Sequence, residues 1–171
     1  MPSALEKLEG VLEEVGSGVS DGRFRPHNEE DVSGYIYHTW LVRWQEDILK
    51  LHLEARVPGY KNPRGHADLA YGDEGKDRKG RPTVRKPEIV VEVKCLEGFT
   101  PGQVATRKRR FLDDIRELGR LEGHGVARVC VLFGRIGERL PEGYLEEAQR
   151  LADLQPNDVL LRLLDFNSVR R

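Results

Sequence analysis

The chain has 171 residues, which is the size of one domain with a substantial hydrophobic core. Hydrophobic residues make up 38% and charged residues 33%, with a formal net charge of -1. This composition excludes a disordered chain and a nucleic-acid binder that relies on a global basic field. We expect no signal peptide and no membrane span, and Cys95 and Cys130 lie in apolar runs typical of buried free thiols. These features predict a reducing, cytoplasmic location.

A first helix is predicted over residues 3–15, with a capping box formed by Ser3 and Glu6. Apolar residues recur along it at helical spacing, at Leu5, Leu8, Leu12 and Val15. The "GSG" stretch at 16–18 is expected to end it. This N-terminal segment, 1–18, either packs on the domain or pairs with a second copy, and the second alternative would give a homodimer.

The next elements are a helix, 28–44, and three strands. The first strand, 47–57, alternates apolar and polar residues, and the second is the short "HADLAYG" at 66–72. The polar segment 73–86 predicts a loop or an extended hairpin tip, and "PEIVVEVKCL" at 87–96 is the third strand.

A long helix, 100–123, follows, with Thr100 as its N-cap. The apolar run 125–134 predicts a buried strand, and a final helix and strand complete the chain. The strand–helix–strand unit implies a right-handed crossover and one parallel strand pair. We therefore expect an α/β fold, in which helices cover both faces of a mixed sheet. It forms a single domain over 1–171, with a core at 28–133 and an added helix and strand at 141–166.

Two charges interrupt the third strand on one face, at Glu92 and Lys94. They are either ordinary residues on an exposed face or members of a site, because an unpaired buried charge is costly. Asp68 lies in the preceding strand, and antiparallel pairing could place it beside Glu92. Two neighbouring carboxylates repel each other unless a cation lies between them, and oxygen ligands suit Mg²⁺ or Mn²⁺. The pattern therefore favours metal-assisted phosphodiester hydrolysis, assisted by the lysine.

The order of a helix acid, "HADLAYG", "PEIVVEVKCL" and a helix that opens "TPGQVATRKRR" resembles the PD-(D/E)XK nuclease superfamily, whose restriction-endonuclease-like core is αβββαβ. The resemblance implies a magnesium-dependent nuclease in which Asp68, Glu92 and the Val93 carbonyl bind the metal and Lys94 assists the attacking water. Ala67 replaces the proline that the family name expects before the aspartate.

The resemblance also implies an acid on the opening helix, Glu29 or failing it Glu30, which supports the metal or the lysine. Gln103 is similar to a glutamine that some members carry in the helix after the third strand.

Two basic segments are candidates for phosphate contacts. Arg107, Lys108 and Arg110 border the expected cleft, although the pairs Arg109–Asp113 and Arg110–Asp114 at i, i+4 favour an ordinary solvated face equally. The segment 76–86 is either a flexible nucleic-acid-binding arm or a surface loop.

These features predict a nuclease that acts on nucleic acid, with DNA as the expected substrate. The alternative is a non-catalytic nucleic-acid-binding or assembly module on the same fold. His66 shares a strand face with Asp68 and is a further candidate for lining the site.

Overall fold

The computed structural model of the chain describes residues 2–60, 65–97 and 100–165. The helices are α1 Ala4–Ser20, α2 Glu29–Arg43, α3 Pro101–Arg120, α4 Ile136–Arg139 and α5 Tyr144–Asp153. The strands are β1 Leu51–Arg56, β2 His66–Lys76, β3 Pro82–Cys95, β4 Ala127–Gly134 and β5 Val159–Asp165. Within the described residues, no helix is long and apolar enough to cross a membrane.

The five strands form one sheet in the order β1-β2-β3-β4-β5. β1, β2 and β3 pair antiparallel, whereas β3, β4 and β5 pair parallel. The chain is therefore α/β with a mixed sheet flanked by helices, as the sequence predicts, and β3 and β4 form the expected parallel pair.

α1 begins as predicted, with the Ser3–Glu6 capping box, but it continues to Ser20. The expected stop at 16–18 is wrong because tertiary packing outweighs the low helix propensity of glycine. Gly18 is buried, and a Cβ there would lie 3.2 Å from the Tyr35 hydroxyl.

The apolar stripe of α1 packs against the sheet and α2 of the same chain. Leu8, Val11 and Val15 are 0 to 1% exposed in this cluster, which includes residues from β3 and β4. The helix is also tied to β5 by an ion pair between Glu9 and Arg162. The stripe is therefore covered within one chain and lends no support to a homodimer.

The strand predicted over 47–57 is shorter and irregular. Gln45–Leu49 form a 3-10 turn, and β1 begins only at Leu51. Glu54 has a positive φ of 45° and breaks the alternation. As a result Leu51 packs with α1 and α2, whereas Ala55 packs in the cluster on the other face.

α3 covers the opposite face from α1 and α2. Its Phe111, Ile115 and Leu118 are fully buried in a cluster that contains Val90 of β3 and Cys130 of β4. Even-numbered residues at this end of β3 therefore face α3. Cys95 and Cys130 are both free and buried, as expected.

Candidate active site

Asp68 and Glu92 lie opposite each other on neighbouring strands, one step beyond the Leu69–Val91 pair of the antiparallel ladder. Asp68 Oδ2 accepts a hydrogen bond from the Val93 backbone N–H at 2.6 Å. The two carboxyl groups are close enough for the charge of Asp68 to raise the pKa of Glu92.

Glu92 is held by a tyrosine that sequence reasoning missed. The Tyr60 hydroxyl donates to Glu92 Oε1 at 2.6 Å. Tyr60 lies in the turn after β1, where its backbone N–H donates to the Val57 carbonyl, and its side chain is only 5% exposed. No motif marks this residue, since its position depends on how the turn folds over the sheet.

Lys94 is surrounded by carboxylates. Its Nζ lies 2.9 Å from Asp114 Oδ2, 3.8 Å from Glu29 Oε1 and 4.0 Å from Glu92 Oε2. It also donates to the Val93 carbonyl at 3.1 Å. Glu92 and Lys94 are 3% and 7% exposed, so the alternative that they are ordinary surface residues is wrong.

Asp114 is the second residue that the sequence analysis missed. The expected surface pairs with Arg109 and Arg110 are replaced: Asp113 pairs with Arg116, and Asp114 turns inward to Lys94. A signal was present, because Asp114 follows the buried Phe111 by three positions and so lies on the apolar face of α3.

Of the two candidate acids on the opening helix, Glu29 contacts the cluster. It is the first residue of α2, is half-buried, and forms ion pairs with both Lys94 and Arg107 of α3. Glu30 is exposed. α2 and α3 thus meet at the carboxyl end of β3, joined by the Glu29–Arg107 contact.

The site carries more negative than positive charge. Burial raises the pKa of Asp68 and Asp114, the latter to about 6, and raises that of Glu92 well above its usual range. Burial alone would lower the pKa of Lys94, but the carboxylates around it, with Asp114 foremost, raise it instead. Lys94 therefore stays protonated, and its single positive charge does not neutralise the carboxyl groups around it.

The donor set fits a hard divalent cation. Among the described residues no three His, Cys, Asp or Glu side chains are arranged to hold a metal ion by themselves. Mg²⁺ commonly takes one or two carboxylates and completes its shell with water and substrate phosphates. The Asp68 charge raises the pKa of Glu92, and a cation between the two groups would relieve this repulsion; the Val93 carbonyl lies within hydrogen-bond distance of the Lys94 ammonium group.

The other predicted residues lie outside this cluster. Gln103 is exposed, and its side chain completes the capping box of Thr100 at the start of α3. The Lys108 carbonyl accepts from Tyr144, and Arg110 is exposed. Among the predicted basic residues of α3, Arg107 reaches the site through its ion pair with Glu29. Comparisons of the chain with protein-family models, curated proteins and solved structures gave no match.

Proposed function

We propose that this protein is a magnesium-dependent nuclease of the PD-(D/E)XK type, with a restriction-endonuclease-like fold, that hydrolyses phosphodiester bonds in DNA. The observation that carries the proposal is the buried, charge-imbalanced cluster in which Asp68 and Glu92 adjoin each other beside Lys94. The order α2-β1-β2-β3-α3-β4 supports it, because it follows the αβββαβ core of that superfamily. A cytoplasmic location belongs to the same proposal and agrees with two free cysteines.

Asp68, Glu92 and the Val93 carbonyl would hold Mg²⁺ or Mn²⁺, which when bound polarises the phosphate and acidifies water. Lys94 remains an ammonium group, since its pKa is raised, and it acts as a hydrogen-bond donor that orients the nucleophile rather than as a base. Asp114 and Glu29 fix the direction of that ammonium group from α3 and α2. Arg107 supplies a cation for a backbone phosphate at the junction of the two helices.

Metal binding is the first test. Titration of Mn²⁺ into the wild type should show heat of binding, and Asp68→Asn should weaken the affinity at least about tenfold. Asp153→Asn removes an exposed carboxylate on α5 and serves as the matched control, with unchanged affinity. Equal Mn²⁺ affinity in the wild type and in Asp68→Asn would show that Asp68 does not bind the metal.

Cleavage is the second test. With Mg²⁺ present, Asp68→Asn and Lys94→Met should each lower the rate of DNA cleavage by about 100-fold or more, while circular dichroism shows a retained fold. Cleavage at the wild-type rate by both variants would overturn the assignment of the site.

A non-catalytic nucleic-acid-binding or assembly module is the second candidate. It is favoured by the enclosure of the cluster, since Tyr60 holds Glu92 and Asp114 holds Lys94 within the chain. It predicts nucleic-acid binding by the wild type with neither Mn²⁺ binding nor cleavage.

A further inference from the structure

The hairpin formed by β2 and β3 extends beyond the rest of the sheet. Pairing with β1 ends at Tyr71, and pairing with β4 begins only at Ile89. Over residues 73–86 the two strands pair with each other, with Asp73 opposite Lys86 and Lys76 opposite Pro82. Residues 73–86, for which the sequence predicts a loop or an extended hairpin tip, therefore form a two-stranded ribbon. We call this ribbon the basic hairpin.

The strand pairing is irregular where the basic hairpin leaves the rest of the sheet. Register shifts lie at Tyr71/Gly72 and at Asp73/Glu74. A Cβ on Gly72 would lie 2.4 Å from the Lys86 carbonyl oxygen, so the close approach of the two strands here requires a glycine. Thr83 Oγ1 then donates to the Arg56 carbonyl at 2.8 Å.

Burial of Val84 shows which face the hairpin joins. Val84 is 2% exposed and packs in the cluster that contains Ala55, Val90 and Phe111. This is the face of β3 on which Glu92 and Lys94 lie. His66, two positions before Asp68, and Arg81 of the hairpin both line the groove between β1 and the hairpin.

The tip of the hairpin is held in one conformation. The Asp77 backbone N–H donates to the Arg81 carbonyl at 2.9 Å. Asp77 Oδ1 accepts from the backbone N–H groups of Lys79 and Arg81, and Asp77 Oδ2 accepts from Arg81 Nε at 2.7 Å. Gly80 supplies the positive φ of 77° that the turn requires. A partner therefore meets an ordered tip, with little ordering entropy lost on binding.

The charge at this tip is strongly positive. Its cations are Lys76, Arg78, Lys79, Arg81 and Arg85. Asp77 is the single carboxylate over 76–85, and it is engaged by Arg81. Lys76, Arg78 and Lys79 are exposed, and within the described part of the chain no ion pair engages them.

We propose that the basic hairpin is a binding arm for B-form duplex DNA. This inference rests on the proposed function for nucleic acid as the partner, and it narrows the substrate class to double-stranded DNA. A ribbon of two strands about 4.8 Å apart fits a major groove about 12 Å wide, with the tip cations against the phosphates. The deep, narrow major groove of duplex RNA does not admit such a ribbon. The buried Val84 places the base of the arm on the face of the sheet that carries the acids.

The test is binding without divalent metal. A fluorescent DNA duplex of about two helical turns is titrated in EDTA with the wild type and with Lys76→Gln/Arg78→Gln/Lys79→Gln. The control variant, Arg23→Gln/Arg25→Gln/Arg150→Gln, removes the same charge from exposed positions outside the hairpin and α3.

The hairpin variant should bind duplex DNA about 10- to 100-fold more weakly at low salt, and the slope of log affinity against log salt should fall by about 2 to 3. The control variant should bind like the wild type, and the wild type should prefer duplex DNA to duplex RNA and to single strands. Equal loss in both variants, unchanged binding by the hairpin variant, or equal affinity for duplex RNA would overturn the inference.

Addition of Mg²⁺ to the same complexes separates this inference from the proposed function. If the hairpin variant binds duplex DNA like the wild type, the basic hairpin is not a binding arm, even if the protein cleaves DNA. A wild type that binds duplex DNA through the hairpin but does not cleave it overturns the nuclease and retains the arm.

Discussion

Two buried lysine–carboxylate clusters lie on opposite faces of the sheet, and they differ in charge balance rather than in burial. Lys7 and Asp47 are 7% and 3% exposed, as are Lys94 and Glu92. Burial by itself raises the pKa of Asp47. Hydrogen bonds from Lys7, from the Trp40 indole N–H and from the Tyr71 hydroxyl outweigh this effect and lower that pKa. In the second cluster burial and mutual repulsion raise the pKa of Glu92.

The balanced cluster is complete within the chain. Asp47 accepts from Lys7 Nζ and Trp40 Nε1 at 2.7 Å and from the Tyr71 hydroxyl at 3.0 Å. These contacts join α1, α2 and β2 to the turn before β1, which is a structural role. The cluster around Lys94 has several carboxylates for one lysine, and this surplus is what a site for a divalent cation requires.

The largest effect should come from breaking the balanced cluster. Asp47→Ala leaves the buried Lys7 ammonium group, the Trp40 indole N–H and the Tyr71 hydroxyl without their acceptor. The substitution should lower the free energy of unfolding by about 3–5 kcal/mol. Urea denaturation measures this change, with the exposed Asp153→Asn as the control. A loss below about 1 kcal/mol would show that the cluster tolerates imbalance.

The pH dependence of stability should come next. The pKa of Asp114 is raised from 3.8 to about 6 in the folded chain, so the folded state binds more protons than the unfolded state in this window. Without metal, Asp114 alone should therefore lower the free energy of unfolding by about 2 kcal/mol as pH rises from 4 to 6.

Denaturation in EDTA across this range, with wild type and Asp114→Asn, measures the effect. The variant should lose the part of the fall that Asp114 contributes, whereas the raised pKa values of Asp68 and Glu92 leave a remaining fall of the same sign. A wild type whose stability rises over the same range would mean that the acids of this cluster are fully ionised in the folded protein.

Glu92→Gln should sharpen the comparison with a smaller and opposite effect. The substitution mimics the protonated acid and removes the cost of ionising a buried group beside Asp68. The metal-free protein should therefore gain about 1 kcal/mol at pH 7, although Mn²⁺ affinity falls. Thermal melts in EDTA and with Mn²⁺ measure both changes, and a destabilised metal-free variant would contradict the charge imbalance.

Tyr60→Phe should have the smallest effect. The Tyr60 hydroxyl lowers the pKa of Glu92, so its loss should raise that pKa further, weaken Mn²⁺ binding a few-fold, and cost about 1 kcal/mol of stability. Tyr144→Phe, which loses a hydrogen bond to the Lys108 carbonyl, is the matched control. Equal Mn²⁺ affinity in both variants would show that Tyr60 acts only in folding.

The sequence predicts the antiparallel hairpins, the parallel pair and the Asp68–Glu92 neighbourhood because these follow from period-two patterns and short connections. Asp114 was missed although its spacing from Phe111 places it on the apolar face of α3. Tyr60 could not be predicted, because the path of the turn at 57–60 is set by packing across the sheet. The end of α1 and the positive φ of Glu54 were also missed, because local propensity does not determine either feature.

The ion pair between Glu9 and Arg162 spans 153 positions, and the face of α1 packs against residues of β3, β4 and β5. The ribosome completes α1 long before it completes the strands that bury it. The apolar stripe of α1 is therefore exposed during most of synthesis, when a hydrophobic helix is open to chaperones and to aggregation. During synthesis α1 can pack against α2 early, but its contacts with β3, β4 and β5 form only after those strands have been made.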